Sequence, residues 1–373
     1  MSGVFELSPE QRAFRDMVRR FLEANSGESA VREQMASERG FDPVVWTELA
    51  KQLGLQGIVV PEEYGGQGFG PVELALVMEE MGRGLFCAPY LSSAVLAVNA
   101  LLLADDEEAK GALLPGIASG EIRVTLAASE SDASWDAGSV ETAAREAAGA
   151  WRITGAKHFV LDGHTADVLL VTARTAAGVS LFRVAGDAPG VSREAVPTLD
   201  PTRKLARIAL RDAPASRVGV DGAGGEILAG VRDRAVVALA AEQVGGAQRC
   251  LDMAVDHAKQ RFQFGRPIGS FQAIKHKCAD MLLEVECARS AAFYASWSAA
   301  DARDDLPATA ALAKATCSDA FLFAAAENIQ IHGGIGFTWE HPAHLYYRRA
   351  KSTDLLFGDS THQRERLAHD LGI

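Results

Sequence analysis

Residues 261–281 read RFQFGRPIGSFQAIKHKCADM, and they separate two long stretches that have helical periodicity. Upstream, 226–262 is rich in Ala, Val and Leu, which predicts one helix of about 36 residues. Downstream, 270–305 and 307–337 predict two more long helices. Because several such helices follow one another, we expect a helical bundle over 223–373.

The first part of the chain is also expected to be helical. Ser8-Pro9-Glu10-Gln11 is typical of a helix start, since Ser8 can cap the helix and Gln11 can reach back to it. Asp42-Pro43 repeats this signal, and the glycine-rich run at 61–71 predicts a loop. These features predict an α-helical domain over 1–118.

The hydrophobic period changes between residues 119 and 222. Short apolar or alternating runs, such as WRITGAKHFVL and VSLFRVA, are separated by Gly, Asp and Pro. This pattern predicts a small antiparallel β domain. The predicted fold class is therefore α+β and mostly α, with a helical domain, a β domain and a helical bundle.

Composition excludes several classes of protein. The chain has 373 residues and a net charge of −12, which argues against nucleic acid as the main partner. No apolar run reaches the length of about 20 residues that a membrane span needs. The five cysteines are dispersed without metal-ligand spacing, and the first residues do not resemble a signal peptide. We expect a cytoplasmic protein without a metal site.

Glu242 is the most isolated carboxylate of the predicted helix 226–262, because the run AVVALAAEQVGGA around it carries no other charge. If its side chain is buried, loss of hydration should raise its affinity for a proton and make it a candidate general base. Alternatively, Glu242 and Gln243 form a polar face that points to solvent.

Two further segments have both a binding and a purely structural interpretation. Arg261, at the start of the segment 261–267, can bind a phosphate or carboxylate with its guanidinium, or can offset a helix dipole. The glycines of 330–337 can bring backbone close to a ligand, or can simply end a helix.

Three segments together resemble the acyl-CoA dehydrogenase family. They are VVPEEYGGQGFGPVELALVMEEMGRG at 59–84, the opening stretch 261–281, and IQIHGGIGFTWEHPAHLYYRRAKSTD at 329–354. The resemblance covers essentially the whole chain. It implies an FAD-dependent enzyme of lipid β-oxidation whose C-terminal domain is a four-helix bundle, forming a homotetramer or heterotetramer.

The resemblance also implies which residues contact ligands. The residues that match the family's FAD contacts are Leu126, Phe159, Val160, Arg261, Phe262, Gln263, Phe264, Phe271, Gln272, Gln330, Ile331, His332, Gly333, Gly334 and Ser360. Ser131 and Gly358 match positions that contact the acyl-CoA substrate.

The chain departs from the family at the catalytic base. The family's glutamate abstracts the α-proton of an acyl thioester while a hydride passes to flavin N5. One usual position of this glutamate falls on Gly358 and the other on Ala235. Glu242 lies two helical turns beyond Ala235 on nearly the same face, and Asp359 is the fallback.

Three interpretations follow from this departure. Glu242 is the base of a dehydrogenase that forms a trans-2-enoyl-CoA and passes electrons to an electron-transferring flavoprotein. Alternatively, the chain is a non-catalytic subunit that assembles with a paralogue, and the assembled enzyme acts on bulky, ring-bearing thioesters. A third interpretation is another flavin chemistry, such as that of an oxidase.

Overall fold

The computed structural model describes residues 7–147, 149–303 and 305–373. The first part of the chain is helical, as predicted. Its α-helices are α1 (Pro9–Asn25), α2 (Glu28–Ala36), α3 (Pro43–Leu53), α4 (Pro71–Arg83), α5 (Val98–Ala104) and α6 (Glu107–Ala118), with a π-helical segment at Leu91–Ala97 directly before α5.

Local signals position two of these helices as the sequence predicts. Ser8 caps α1, and the Gln11 side chain accepts a hydrogen bond from the Ser8 amide, which completes a capping box. Asp42 caps α3 by accepting from the amides of Val44 and Val45. Both predicted helix starts are confirmed.

The middle of the chain forms one seven-stranded sheet. The strands of the sheet are β1 (Val124–Ala127), β2 (Ala143–Ala147), β3 (Ala150–Leu161), β4 (Val168–Arg174), β5 (Val179–Ala185), β6 (Val191–Val196) and β7 (Leu205–Val218). The predicted central β domain is confirmed, but the sheet is mixed: β1 and β2 both pair with β4 in parallel. Strands β2 and β6 are mostly exposed and lack an apolar alternation, so the sequence did not indicate them.

The C-terminal part is helical, as predicted. Its elements are α7 (Gly224–Gln260), β8 (Phe262–Gln263), β9 (Arg266–Pro267), α8 (Gln272–Ala300), α9 (Leu306–His332), α10 (Ala343–Leu355) and α11 (Ser360–Leu371). The single helix expected over 226–262 is observed as α7, with 37 residues. Within the described ranges, none of the helices is long and apolar enough to cross a bilayer.

The chain forms two compact units. One consists of the described residues up to Arg32, Pro71–Phe86 and Val236–Ile373. The other consists of Glu33–Gly70 and Cys87–Ala235. The division into domains at residues 118 and 222 stays a prediction.

Two glycines set the distance between α4 and α7. A Cβ atom added to Gly82 would lie 1.9 Å from the carbonyl oxygen of Glu242, and one added to Gly245 would lie 1.7 Å from that of Glu79. Any side chain at either position would clash with backbone of the facing helix. The close crossing therefore depends on glycine at both positions.

We expect Gly245→Ala to destabilise the protein by about 1–3 kcal/mol, because the new methyl group forces the two helices apart. Gly111→Ala, in α6, is the matched control, since its added Cβ meets no atom within 4 Å. That control should change stability by at most about 1 kcal/mol, in the stabilising direction. Denaturant unfolding measures both variants, and equal effects would contradict a glycine-dependent crossing.

Candidate cofactor site and catalytic carboxylates

The predicted FAD-contact segment after α7 forms a tight hairpin with exposed aromatic side chains. Strands β8 and β9 are antiparallel, and Phe264 and Gly265 between them both have positive φ, 53° and 77°. Positive φ at both central residues is typical of a type I′ turn. Phe262 and Phe264 are 61% and 89% exposed, and Arg261 beside them is also exposed. Gln263 is exposed as well.

The start of α8 continues this surface. The Arg266 guanidinium carbon lies 4.1 Å from the centroid of the Phe271 ring, and Phe264 meets the same ring edge-on at 6.0 Å. Gln272 is the exposed first residue of α8, and no side chain caps this helix. Amides in an uncapped first turn favour an anionic group such as a phosphate.

The loop after α9 is open at its glycines. Gly333 has a φ of +66°, and a Cβ added to Gly333 or Gly334 would meet no atom within 4 Å. Gln330 is exposed, whereas Ile331 and His332 face the protein interior. Backbone in such an exposed, glycine-rich loop can approach a ligand closely.

Three further residues that the resemblance assigns to FAD lie on β1 and β3, one with an exposed aromatic ring and two that are buried. Phe159 has a φ of +54° and is 45% exposed, and the pairing of β3 with β7 shifts register between Lys157 and Val160. A bulge of this kind re-aims a side chain and is common beside ligand sites. Leu126 and Val160 are buried, so neither side chain is exposed to a ligand.

A buried lysine anchors the loop that carries Ser131. Lys157 is fully buried, and its ammonium group donates to the carbonyl of Ala128 at 3.0 Å and to Glu130 at 2.8 Å. Burial lowers the pKa of Lys157 to about 8, although Glu130 opposes the shift. Ser131 itself is exposed on this loop. The ion pair beneath it fixes where the loop leaves β1.

These residues fit an FAD molecule by their chemistry. Exposed aromatic rings offer apolar contact to the ring systems of FAD. Arg261 and the open glycines Gly333 and Gly334 suit its pyrophosphate. Among the described residues, no group of three or more His, Cys, Asp and Glu side chains is arranged to hold a metal ion.

Glu242 is buried, as the base hypothesis requires, but its carboxylate is already engaged. It is 2% exposed, and its Oε1 accepts a hydrogen bond from Nη1 of Arg349 at 2.7 Å. Arg349, on α10, is equally buried. A guanidinium in contact with a carboxylate stabilises its charged, hydrogen-bonded form. The alternative of a solvent-facing Glu242 and Gln243 is wrong, because both are buried.

The segment at Gly358 does not offer a free carboxylate either. Gly358 has a φ of +93°, and an added Cβ would lie 2.2 Å from Cδ2 of His362, so a glutamate would be strained there. The Asp359 carboxylate caps α11 and accepts from the amide of His362 at 2.8 Å. Ser360 is the first residue of α11, and its amide donates to Asp354.

A second buried lysine lies beneath this segment. Lys314 is fully buried on α9 and donates to Oγ of Ser318 at 2.9 Å and to the carbonyls of Asp354 and Gly358. Loss of hydration lowers the pKa of Lys314 to about 8. The Gln243 amide also donates to Ser318, at 3.0 Å. Lys314 thus fastens the end of α10 and the start of α11 to α9.

Sequence reasoning missed Arg349, Lys157 and Lys314. A signal existed for Lys314, which is the lone charge of the Ala-rich run PATAALAKATCS. Arg349 lies one helical turn beyond Leu345 and Tyr346, which are buried, so helical spacing alone would place it on the inner face of α10. Nothing in the local sequence indicates that Lys157 pairs with Glu130.

Sequence comparison assigns all three regions of the chain. The N-terminal, middle and C-terminal domains of acyl-CoA dehydrogenase match residues 8–121, 125–212 and 232–372. The acyl-CoA dehydrogenase IpdE2 of Mycobacterium tuberculosis is 36% identical, over 97% of this chain and 98% of its own length.

Solved structures agree with this assignment. The ChsE4-ChsE5 complex from Mycobacterium tuberculosis matches with a TM-score of 0.89 and 29% identity, over 99% of this chain and 98% of that one. The Tcur3481-Tcur3483 steroid ACAD matches with a TM-score of 0.88 and 31% identity, over 97% and 98%. This chain belongs to the acyl-CoA dehydrogenase family of FAD-dependent oxidoreductases.

Proposed function

We propose that this chain is one of two unlike subunits of an acyl-CoA dehydrogenase that acts on bulky, ring-bearing acyl-CoA thioesters. The reaction is removal of the α-proton and the β-hydride to give a trans-2-enoyl-CoA. In this proposal the chain binds FAD, and a paralogous subunit supplies the carboxylate that takes the α-proton.

The observation that carries the proposal is the buried ion pair of Glu242 and Arg349, at 2.7 Å. A general base must be able to release its partner and meet the substrate proton. Glu242 would have to give up this contact with Arg349, and loss of one partner of a buried ion pair costs about 3–5 kcal/mol. Gly358 and Asp359 do not replace it.

FAD supplies the hydride acceptor of this reaction when it is bound. The residues of this chain bind and orient it. Arg261 is available to its pyrophosphate, the open backbone at Gly333 and Gly334 permits close approach, and Phe159 offers an exposed ring for apolar contact. Lys157 holds the loop of Ser131 in place, and that loop is proposed to contact the acyl-CoA.

Two features of related proteins support the finer parts of the proposal. One related structure is described as a steroid ACAD, and the other as a complex of two proteins. A steroid-type thioester is therefore the first substrate class to test. We further propose an electron-transferring flavoprotein as the electron acceptor, as the resemblance to the family implies.

Removing Arg349 should destabilise the protein strongly, because the buried Glu242 carboxylate would lose its ion pair with Arg349. We expect Arg349→Met to lower the free energy of unfolding by about 3–5 kcal/mol, and Glu242→Leu combined with Arg349→Met to cost clearly less than the sum of the two single changes. Denaturant unfolding measures these effects.

The surface pair of Arg364 and Asp319 provides the matched control. Both side chains are about half exposed, at 56% and 48%, so Arg364→Met should cost less than about 1 kcal/mol. If Arg349→Met is as mild as this control, the ion pair is not the constraint that we describe, and Glu242 becomes available as a base.

Anaerobic flavin bleaching by acyl-CoA tests the division of labour between subunits. We expect the chain alone to bleach at least about tenfold more slowly than its complex with a co-expressed paralogue that carries glutamate at the position of Gly358. In that complex Glu242→Gln should retain most of the bleaching. Fatty, branched and steroid-type acyl-CoAs form the substrate panel, and the steroid type should bleach best.

The opposite result would identify Glu242 as the base. In that case the chain alone bleaches fully, and Glu242→Gln abolishes bleaching although the variant still carries yellow FAD. Peroxide release without any added electron acceptor would instead indicate an oxidase.

A further inference from the structure

Three histidine rings form a row at one end of the helical bundle. The ring centroids of His257 and His332 are 4.2 Å apart, and those of His332 and His341 are also 4.2 Å apart. The planes are tilted by 32° and 45°. His332 is 9% exposed, and the two outer rings are half-buried.

The row connects the two bundle segments that are predicted to contact FAD. His257 lies in the last turn of α7, and its carbonyl accepts a hydrogen bond from the amide of Arg261 at 2.8 Å. His332 ends α9 and immediately precedes the open glycines at Gly333 and Gly334. His341 precedes α10. A shift of the central ring would therefore move the glycine loop relative to the hairpin.

In two of the rings, a hydrogen bond determines whether Nδ1 carries a hydrogen. Nδ1 of His332 lies 2.8 Å from the carbonyl oxygen of Asn328, so this nitrogen must carry a hydrogen. Nδ1 of His341 accepts from the amide of Ala343 at 3.2 Å, so this nitrogen must lack one. A doubly protonated His341 would lose its bond at the start of α10.

The surroundings favour neutral rings. Burial lowers the pKa of all three histidines, and the neighbouring histidines lower the pKa of His257 and His341 further. The charged groups that face the row are Arg261 toward His257, and Glu28, Arg32 and the titratable His344 toward His341, with Arg348 beside His344. Of these groups Glu28 alone favours protonation of His341.

We infer that His257 and His341 are positioning residues, which hold His332 and the adjoining glycine loop in the FAD-binding arrangement while all three rings are neutral, and which release the loop as the rings take up protons. The inference rests on FAD binding at this loop, and not on which subunit supplies the base. His332 is the residue through which the two outer rings act.

The direction of the pH effect follows from proton linkage. The unfolded or released rings titrate near 6.5, and the rings in the row titrate below that value. The released state therefore binds more protons, so the row is intact above about pH 6.5 and is weakened as the pH falls below it. For each ring that must lose a proton before FAD binds, the FAD affinity falls by up to about tenfold for each unit by which the pH is lowered.

The first measurement is the FAD dissociation constant of the purified protein, in complex with its paralogue if the two assemble, by flavin fluorescence between pH 7.5 and 5.5. We expect the wild type to weaken at least about tenfold over this range. His257→Phe keeps a ring in the row but cannot be protonated, so its affinity should stay within about threefold at pH 7.5 and its profile should be flatter. His257→Ala should weaken binding already at pH 7.5.

The control variant is His369→Gln, because this side chain is 92% exposed on α11. It should reproduce the wild-type profile. A wild-type affinity that does not change between pH 7.5 and 5.5 would overturn the inference, as would a His257→Phe profile as steep as that of the wild type.

Amide hydrogen exchange provides a readout that does not require FAD. The protection factors of Gly333, Gly334 and Ala343 should fall at acid pH in the wild type and stay higher in His257→Phe and His341→Asn, whose asparagine keeps an acceptor for the Ala343 amide. Constant protection would overturn the inference. So would loss of protection without any loss of FAD affinity, because the row would then not position the cofactor.

Failure of the histidine inference can be distinguished from failure of the proposed function. A protein that shows the expected FAD profile but no bleaching in any complex leaves the histidine row supported and the dehydrogenase proposal refuted. A protein that bleaches normally but has a flat FAD profile gives the reverse.

Discussion

The buried ion pair between Glu242 and Arg349 is the interaction on which the functional account depends. Glu242 lies on the part of α7 that crosses α4. At this crossing Gly82 and Gly245 allow the two helix backbones to come close together. Two charges removed from water stabilise a protein only when they remain paired. The pair therefore joins α10 to α7, and in our proposal it also keeps the Glu242 carboxylate from acting as a base.

The buried acidic side chains of α4 are also paired with arginines. Glu79 pairs with Arg289, and Glu80 pairs with Arg19 at 2.6 Å, so both buried carboxylates of α4 have a guanidinium partner. The buried Lys314 differs from these acidic residues, because a hydroxyl and carbonyl oxygens accept its hydrogen bonds and so fix the segment around Gly358. Lys314 thus fixes the position of Gly358, which has no carboxylate.

Sequence patterns predicted the helices and the β region, because periodicity and capping residues act locally. The FAD-contact residues are implied by the resemblance to the family and stay a prediction. The sequence patterns did not predict the parallel pairing of β1 with β4, since strand neighbours are set by long-range topology. They singled out Glu242, because an isolated charge in an apolar helix stands out, but they left open whether its side chain is buried or faces solvent. They could not identify its partner, because Arg349 is 107 residues away in the chain.

A structure of the assembled enzyme with FAD and a non-reactive acyl-CoA analogue tests the central claim most directly, through the distance from each carboxylate to the thioester α-carbon. We predict that Glu242 keeps its contact with Arg349 and that a carboxylate of the paralogous subunit lies closest to the α-carbon. A Glu242 carboxylate that has left Arg349 and lies within about 3.5 Å of the α-carbon would contradict this prediction.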